Sequence, residues 1–575
     1  MDRSVGGRGR PRVTVSTVAI PDIDQRKAPS PARPRRASRY RVGWRSGVMI
    51  AWLCCVPGAS SASAQMTAVQ AQINLRFVGD QLLGVETVSL QRQGPQAEID
   101  FNLPADLRVT RLSVDGSSWP LTMSGTAGKI ALGRALDRVT LRLEYQGRPA
   151  APSRVGSAAI ALFEGSWHPD FAGAYPTVVM LAARPGWDVV MAGERQATDS
   201  SGIQTWRVDS SVSSGLFIAP HLPRTERSVP GLSVELHGAG DPKTLRAAAD
   251  LVVESFQQLS ARLGPPPHTP IVQIVFDEQA PVQSLGAEHA LLVFRTPGNL
   301  LRPESEARFL MSAALAQHWP QVGLSQGDRG PRHDGDAWLA AGLPLMLALD
   351  AVTQTGGASI RDLWLQRLQV AAQGWQRPLA EGPASSGGSP EGKTAFDFAA
   401  RACLTLNALR LEIGDDRFWG LLRRLPGPDS QALEDLATPQ TMVKAVVQKA
   451  GRHPRRSTAM ERAVALQRSQ ARERDLAWFW AQWLQRPDLP KPRFEWHRSR
   501  MPRSGSALTV RLHQSAAPFW FRAPIVIWSG SHRMVQWIQV RNADTVLAIP
   551  FRGVLDAVQF DPAAELLRQM PGDDE

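Results

Sequence analysis

The chain has 575 residues, a length typical of three or four domains, which argues against a single small binding module. Its hydrophobic fraction of 43% and charged fraction of 21% are those of a globular protein and exclude a wholly disordered or fibrous chain. The net charge of +12 would indicate a polyanion-binding protein if that charge were spread over the folded part.

Most of the positive charge lies in the first 64 residues, which hold twelve Lys or Arg against three Asp and leave about +3 for the rest of the chain. A short apolar stretch follows at 47–56, and small residues then end at Ala62-Ser63-Ala64. This is the order of a secretory signal, and the stretch is about half the length of a transmembrane helix. We therefore predict that 1–64 is a basic leader and signal peptide, cleaved near Ala64, and that the protein is periplasmic or extracellular.

Three features of the chain after the leader are better explained by structure than by a chemical function. Cys403 is the one cysteine after the leader, so no internal disulfide is possible, and its apolar helical surroundings predict a buried thiol. The apolar run from Trp338 to Leu349 is too short to span a bilayer, which predicts a buried helix and no integral membrane segment. The basic run at 452–456 is interpreted as a solvated loop, and no nucleic-acid partner is expected for an exported chain.

The residue patterns predict a multidomain α+β protein. Short alternating strands separated by Gly, Pro and Asp predict a β-sandwich-like N-terminal domain at 65–222. From 223 to 490, strands and a helix opened by Asp241-Pro242 precede a block of helical periodicity, interrupted by a Gly-, Ser- and Pro-rich segment at 374–393 that we expect to be a mobile surface loop. Strands return at 491–575 as a small C-terminal β-sandwich.

The order of these parts resembles the M1 family of zinc aminopeptidases over nearly all of the chain after the leader. Several short phrases carry the resemblance, and their shared order matters more than any one of them. They are Leu103-Pro104, Val114-Asp115-Gly116, Leu143-Glu144-Tyr145-Gln146-Gly147, Ser166-Trp167-His168-Pro169, the segments 409–418 and 475–484, and Val558-Gln559-Phe560-Asp561-Pro562. The resemblance implies a thermolysin-like mixed sheet with a helical part at 223–490, between the two β-domains.

In this family a zinc ion is held by H-E-x-x-H on one helix and by a Glu in a W-L-x-E-G phrase on the next, and the Glu of the first motif acts as base. Alignment on Trp319 places Ala313, Ala314 and Gln317 where His, Glu and His belong. Alignment on Trp338 places Ala341 at the third ligand. The resemblance thus implies a degenerate member without zinc ligands or base.

Two further family positions are also altered. The position of the transition-state Tyr matches Ala399, and no Tyr occurs after Tyr175. Glu288, in a Gly-Ala-Glu phrase, stands one position early for the segment that binds the peptide amine, although a surface Glu explains it as well. Loss of a general base alone costs about 10² to 10⁴ in rate, and the ligands are missing too.

We therefore predict an exported pseudopeptidase without a cofactor, which binds a peptide, a protein terminus or a protein partner without cutting it. One alternative is an active zinc metallopeptidase with a rearranged site near His318 and His333, although the helical neighbours of His318 at four residues, Ala314 and Val322, cannot bind zinc. Another alternative is a structural subunit whose cleft is filled by side chains. No G-x-S-x-G or phosphate-binding motif supports a different chemistry.

Overall fold

The fold was analysed in a computed structural model. The structure describes residues 66–570, except for 79–80, 93–97, 133–135, 149–153, 156–158, 163–166, 172–174, 185, 192, 209–214, 239, 267–268, 279–282, 286–290, 320–336, 383–391, 424–475, 502–504, 515–516, 531 and 552–553. Over these residues the protein is a mixed α+β structure that is richer in strand than in helix, which confirms the predicted class. The leader at 1–64 lies outside the described residues.

The first part of the chain is made of strands. They are β1 (Met66–Val78), β2 (Gln81–Arg92), β3 (Glu98–Asn102), β4 (Leu107–Val114), β5 (Ser117–Ser118), β6 (Thr122–Ser124), β7 (Ala127–Ala131), β8 (Arg138–Gly147), β9 (Arg154–Val155), β10 (Ala159–Leu162), β11 (Asp170–Phe171), β12 (Thr177–Ala182), β13 (Trp187–Met191), β14 (Glu194–Thr198), β15 (Ile203–Val208) and β16 (Leu216–Pro220). Eight of them form one large sheet, in the order β14-β15-β12-β1-β2-β8-β4-β5. Two four-stranded sheets, β13-β16-β10-β9 and β11-β3-β7-β6, are built from the others.

The large sheet has one buried face and one exposed face, because side chains alternate along each strand. On β1, Ile73 and Leu75 are buried, whereas Asn74 and Arg76 point to the other face. The inward side chains of this sheet pack in a hydrophobic cluster with residues of the small sheets, such as Phe101 and Leu216. The outward side chains form a second surface.

A mixed five-stranded sheet follows. Its strands are β17 (Arg224–Val229), β18 (Leu232–Gly238), β19 (Ile271–Phe276), β20 (Gln283–Leu285) and β21 (Leu291–Phe294), in the order β17-β18-β19-β21-β20. Strands β18 and β19 are parallel, and α1 (Pro242–Leu263) connects them, as a parallel crossover requires. Asp241 caps α1 by accepting hydrogen bonds from the amides of Lys243 and Thr244, and Pro242 occupies the first turn, so the predicted helix start is confirmed.

The described helices that follow α1 form a layer against which the later strands pack. They are α2 (Pro297–Leu301), α3 (Glu306–Ala316), α4 (Ala337–Ala372), α5 (Gly392–Ile413), α6 (Asp415–Leu422) and α7 (Ala477–Trp483). Helix α4 is interrupted at Gly357, whose φ of 77° is non-helical. Within the described part of the chain, α4 is the helix long and apolar enough to cross a membrane, but 83% of its most apolar window is buried inside the protein. The predicted buried helix from Trp338 to Leu349 is confirmed.

The predicted loop at 374–393 is wrong at both of its described ends, since 374–382 is partly buried and α5 already begins at Gly392. Trp375 and Leu379 are buried, and Leu379–Glu381 forms a 3₁₀ turn. The amide of Ala380 donates to the carbonyl of Leu484, which follows α7, so this segment is held against the end of that helix. Apolar side chains within a Gly- and Pro-rich segment were sufficient to anchor it. Residues 383–391 lie outside the described part.

The C-terminal strands form two three-stranded sheets. These strands are β22 (Arg493–Met501), β23 (Gly505–His513), β24 (Phe521–Ser529), β25 (His532–Val540), β26 (Asp544–Phe551) and β27 (Ala557–Phe560), in the orders β22-β23-β26 and β25-β24-β27. Their buried residues, such as Leu508 and Ile525, belong to the same hydrophobic cluster as the helices. The helices and the C-terminal strands therefore share one core, whereas the residues before 219 mostly pack in their own.

Candidate functional site

Helix α3 carries the positions that match the metal-binding motif. Ser305 caps its start by accepting a hydrogen bond from the Arg308 amide, and the last helical residue is Ala316. Gln317 follows as the C-terminal cap. Its backbone angles are still helical, so its side chain lies on the same face of the helix as Ala313 and Ala314, four and three residues earlier. Both alanines are buried, at 0% and 3% exposure.

The side chain of Trp319 anchors the short described segment 317–319 that follows α3. The indole nitrogen of Trp319 donates to the carbonyl oxygen of Gly264 at 2.7 Å, and the ring lies 5.5 Å from that of Phe256 on α1. Trp319 therefore ties the end of α3 to the end of α1. His318, one residue earlier, is half-buried.

Helix α4 brings Ala341 into the same core, at 2% exposure. Its neighbour Gly342 marks a close crossing of α4 over α5: a Cβ atom at this position would lie 2.7 Å from the carbonyl carbon of Ala402 and 2.8 Å from the amide nitrogen of Cys403. Only glycine permits the two backbones to approach so closely. The Gly of the W-L-x-E-G-like phrase thus has a packing role that does not require the Glu before it.

Helix α5 completes the group with Ala399, which is fully buried. Two residues later, the buried guanidinium of Arg401 donates to the carbonyl oxygens of Trp375, Pro487, Arg486 and Asp488. Burial lowers the pKa of Arg401 to about 10, so the guanidinium keeps its charge at neutral pH. Cys403 is fully buried as predicted, and burial raises the pKa of its thiol, which disfavours a nucleophilic role.

The four alanines that the M1 resemblance aligns with ligand, base and tyrosine all belong to the large hydrophobic cluster shared by the helices and the C-terminal strands, and α4 packs against both α3 and α5. A zinc site needs nitrogen, sulfur or carboxylate donors, and alanine offers none. Gln317 supplies only an amide, whose oxygen is buried and makes no hydrogen bond to another described residue. These positions do not fit zinc.

Two residues considered from the sequence cannot be placed. Glu288 and His333 lie outside the described residues, so the structure does not bear on the peptide-amine position or on a site rearranged around His318. Among the residues that are described, no group of three or more His, Cys, Asp or Glu side chains is arranged to hold a metal ion.

A buried ionisable cluster does exist, but it lies in the core beneath the large β-sheet. Glu86 on β2 and His168 are 0% and 2% exposed, and Oε2 of Glu86 lies 3.8 Å from Nδ1 of His168. The same nitrogen lies 2.7 Å from the carbonyl oxygen of Pro169. The hydroxyl of Tyr145 is buried nearby on β8, and neither it nor the Glu86 carboxylate makes a hydrogen bond within the described part of the chain. We name Glu86, His168, Tyr145 and Asp170 the buried polar cluster.

In the buried polar cluster, the surroundings of the titratable groups favour their protonated forms. Burial raises the pKa of Glu86, and His168 offsets this only in part. Burial alone would lower the pKa of His168, but the adjacent Glu86 carboxylate and the charge of Asp170 more than compensate and raise it. Burial likewise raises the pKa of Asp170 and of the Tyr145 hydroxyl. The almost complete burial of Glu86 and His168 denies a substrate access to them, so the cluster acts on stability.

Sequence reasoning assigned no role to this cluster, although one signal was present. The inward positions of β2 are Leu82, Gly84, Glu86, Val88 and Leu90, and a Glu in the middle of such an apolar row predicts a buried carboxyl that needs a partner. His168 was noted only as part of a family-like phrase. What the sequence could not supply is that strand β2 and the turn before β11 meet.

No family model matches this chain, and no curated protein matches it.

Proposed function

We propose that this chain is an exported, zinc-less relative of the M1 aminopeptidases that acts by binding a peptide or protein partner and does not hydrolyse it. The proposed layout is a leader at 1–64, an N-terminal β-domain at 65–222, a thermolysin-like part at 223–490 and a C-terminal β-sandwich at 491–575. The sheet orders and the helical layer described above are compatible with it.

One observation carries the proposal. Ala313, Ala314, Ala341 and Ala399 are 0–3% exposed and belong to one extended hydrophobic cluster, which supports an apolar filling of the region that the resemblance would assign to the catalytic water. Alanine keeps the helices stable while it offers no metal donor and no base at these four positions. A partner would then contact the outside of this region rather than its centre.

The test is hydrolysis by the purified mature protein. We expect no release of fluorophore from a panel of aminoacyl reporters, with added zinc or with a chelator, while wild-type protein remains folded by circular dichroism. Chelator-sensitive cleavage that is lost in His318→Ala would overturn the proposal and support the rearranged site. A matched substitution, His237→Ala, removes a buried histidine far from α3 along the chain and controls for general damage.

A further inference from the structure

The outward face of the large sheet can be read row by row from its register. Outward residues that stand opposite one another on neighbouring strands form transverse rows, because directly paired residues point to the same side. One row is Arg76 on β1, Leu83 on β2, Gln146 on β8 and Arg108 on β4. The next row is Asn74, Val85, Glu144 and Arg111. On the other side of β1, Ala182 and Ile203 continue the first row, and Met180 continues the second.

Most residues of these two rows line an open cavity of about 450 Å³ on the outward face. Its apolar lining includes Leu83, Val85, Met180 and Ile203, which are only half-buried although they are large hydrophobic residues. No described side chain covers them completely. A cavity of this size suits a small molecule or a short chain segment rather than a folded partner.

Positive side chains outnumber negative ones around the cavity, although the lining itself holds one of each, Arg76 and Glu144. Arg76 lines it, is exposed, and makes no ion pair with another described residue. The carboxylate in the lining, Glu144, is partly neutralised by Arg142, whose Nη2 lies 3.4 Å from Oε1. Arg111 stands directly opposite Glu144 on β4 and has no described ion-pair partner either.

A second guanidinium, that of Arg108 on β4, lies outside the lining and is held by the lining residue Gln146. With the Gln146 amide in its favourable orientation, the side-chain oxygen accepts from Nη2 of Arg108 at 2.7 Å and from Nε at 3.2 Å. Strand spacing puts the Cα atoms of Arg76 and Arg108 about 14 Å apart, with apolar Leu83 between them. The excess positive charge therefore flanks an apolar floor.

We propose that this cavity binds a small amphiphilic anion, with an acidic head group on Arg76 and an apolar body on Leu83, Val85, Met180 and Ile203. Guanidinium groups bind carboxylate and phosphate oxygens through paired hydrogen bonds, which fixes the head group. The proposal does not depend on the peptidase resemblance, since it is argued from the cavity and its charges alone and uses none of the aligned positions on α3, α4 and α5.

The acidic head group of the ligand can be a carboxylate or a phosphate monoester, and the experiment distinguishes these two head groups. Isothermal titration of the mature protein would compare octanoate and octyl phosphate with octanol and octylammonium, which share the chain length but not the negative charge. We expect saturable binding of at least one anion, and binding of the neutral and cationic probes that is about tenfold weaker or absent. The tighter anion identifies the head group.

Two variants and a matched control make the test specific to the cavity. Arg76→Gln should weaken anion binding about tenfold, and Val85→Phe should abolish it by filling the cavity. Arg138→Gln removes a similarly exposed arginine from the same face, outside the lining, and should change nothing. The proposal is overturned if neither anion binds saturably, if Arg76→Gln binds as tightly as wild type, or if both arginine variants lose binding equally, as a general polyanion surface would.

Discussion

The two buried regions of this protein contrast in what fills them. In the helical layer, positions that would carry a metal site hold alanines and pack as an ordinary apolar core. Beneath the large β-sheet, where no chemistry was expected, a Glu, a His and a Tyr are buried together. The contrast teaches that a buried polar group by itself does not mark an active site, because a substrate must be able to reach it, and that a fold does not by itself imply an activity.

Restoring the family's third ligand should produce the largest effect. Ala341→Glu would bury a carboxylate among apolar side chains without a metal to pair it, and we expect a loss of about 3–5 kcal/mol in the free energy of unfolding. Urea unfolding followed by tryptophan fluorescence measures it. Ala340→Glu, one residue earlier and only half-buried, is the matched control and should cost much less. Equal tolerance of both variants would mean that an open cleft remains at position 341.

The close crossing of α4 and α5 should be nearly as sensitive. Gly342→Val places a branched side chain where even a Cβ atom would lie 2.7 Å from the Ala402 backbone, so the helices must separate. We expect a loss of about 2–4 kcal/mol. Ala340→Val on the same helix should stay within about 1 kcal/mol of wild type. If Gly342→Val is harmless, the two helices do not cross as described.

The buried polar cluster predicts a dependence of stability on pH. In the folded protein the pKa of Glu86 lies above its ordinary 4.5 and that of His168 above its ordinary 6.5. Both groups bind protons more tightly when folded, so their stabilisation is complete below those ordinary values and is lost as pH rises through the raised pKa values.

Glu86→Gln tests this dependence, because it removes one of the two titrating groups. Urea midpoints measured across the acid to neutral range should fall less steeply with rising pH in this variant than in wild type. Glu144→Gln changes a half-exposed carboxyl on the outward face of the same sheet and should leave the wild-type slope in place. Identical slopes for wild type and Glu86→Gln would refute the role of Glu86.

A smaller effect is expected from the hydrogen bond that anchors the end of α3. Trp319→Phe loses the bond from the indole to the Gly264 carbonyl, which should cost about 1 kcal/mol beyond the loss of ring area. Trp206→Phe is the matched control in the β-rich part, because the buried Trp206 indole nitrogen makes no hydrogen bond to a described residue. Equal losses in the two variants would show that the Gly264 contact contributes nothing to stability.

The sequence was informative where one local rule decides the structure. Alternation along β1, β4 and β8 predicted strands with a buried face, Asp241-Pro242 predicted the start of α1, and the apolar run from Trp338 predicted a buried helix. These patterns depend on neighbours in the chain, which is why they could be read directly.

The sequence was less informative where the outcome depends on residues far apart in the chain. The loop predicted from Gly and Pro content is anchored by Trp375 and Leu379, whose partners lie elsewhere in the chain. Glu86 and His168 are 82 positions apart, and only the fold brings them together. The outward cavity likewise needs the order of strands in the sheet, which periodicity does not reveal.

The most direct test of the central claim is the effect of zinc on stability. A metal that binds the folded chain stabilises it by mass action, by about 2.7 kcal/mol at a hundredfold excess over the dissociation constant. We expect the urea midpoint of the mature protein to be the same in zinc and in chelator, because the positions that the M1 resemblance aligns with the zinc ligands, Ala313, Gln317 and Ala341, offer no imidazole, thiolate or carboxylate donor. A zinc-dependent rise in the midpoint that disappears in His318→Ala would contradict the account and restore a metal to this helix.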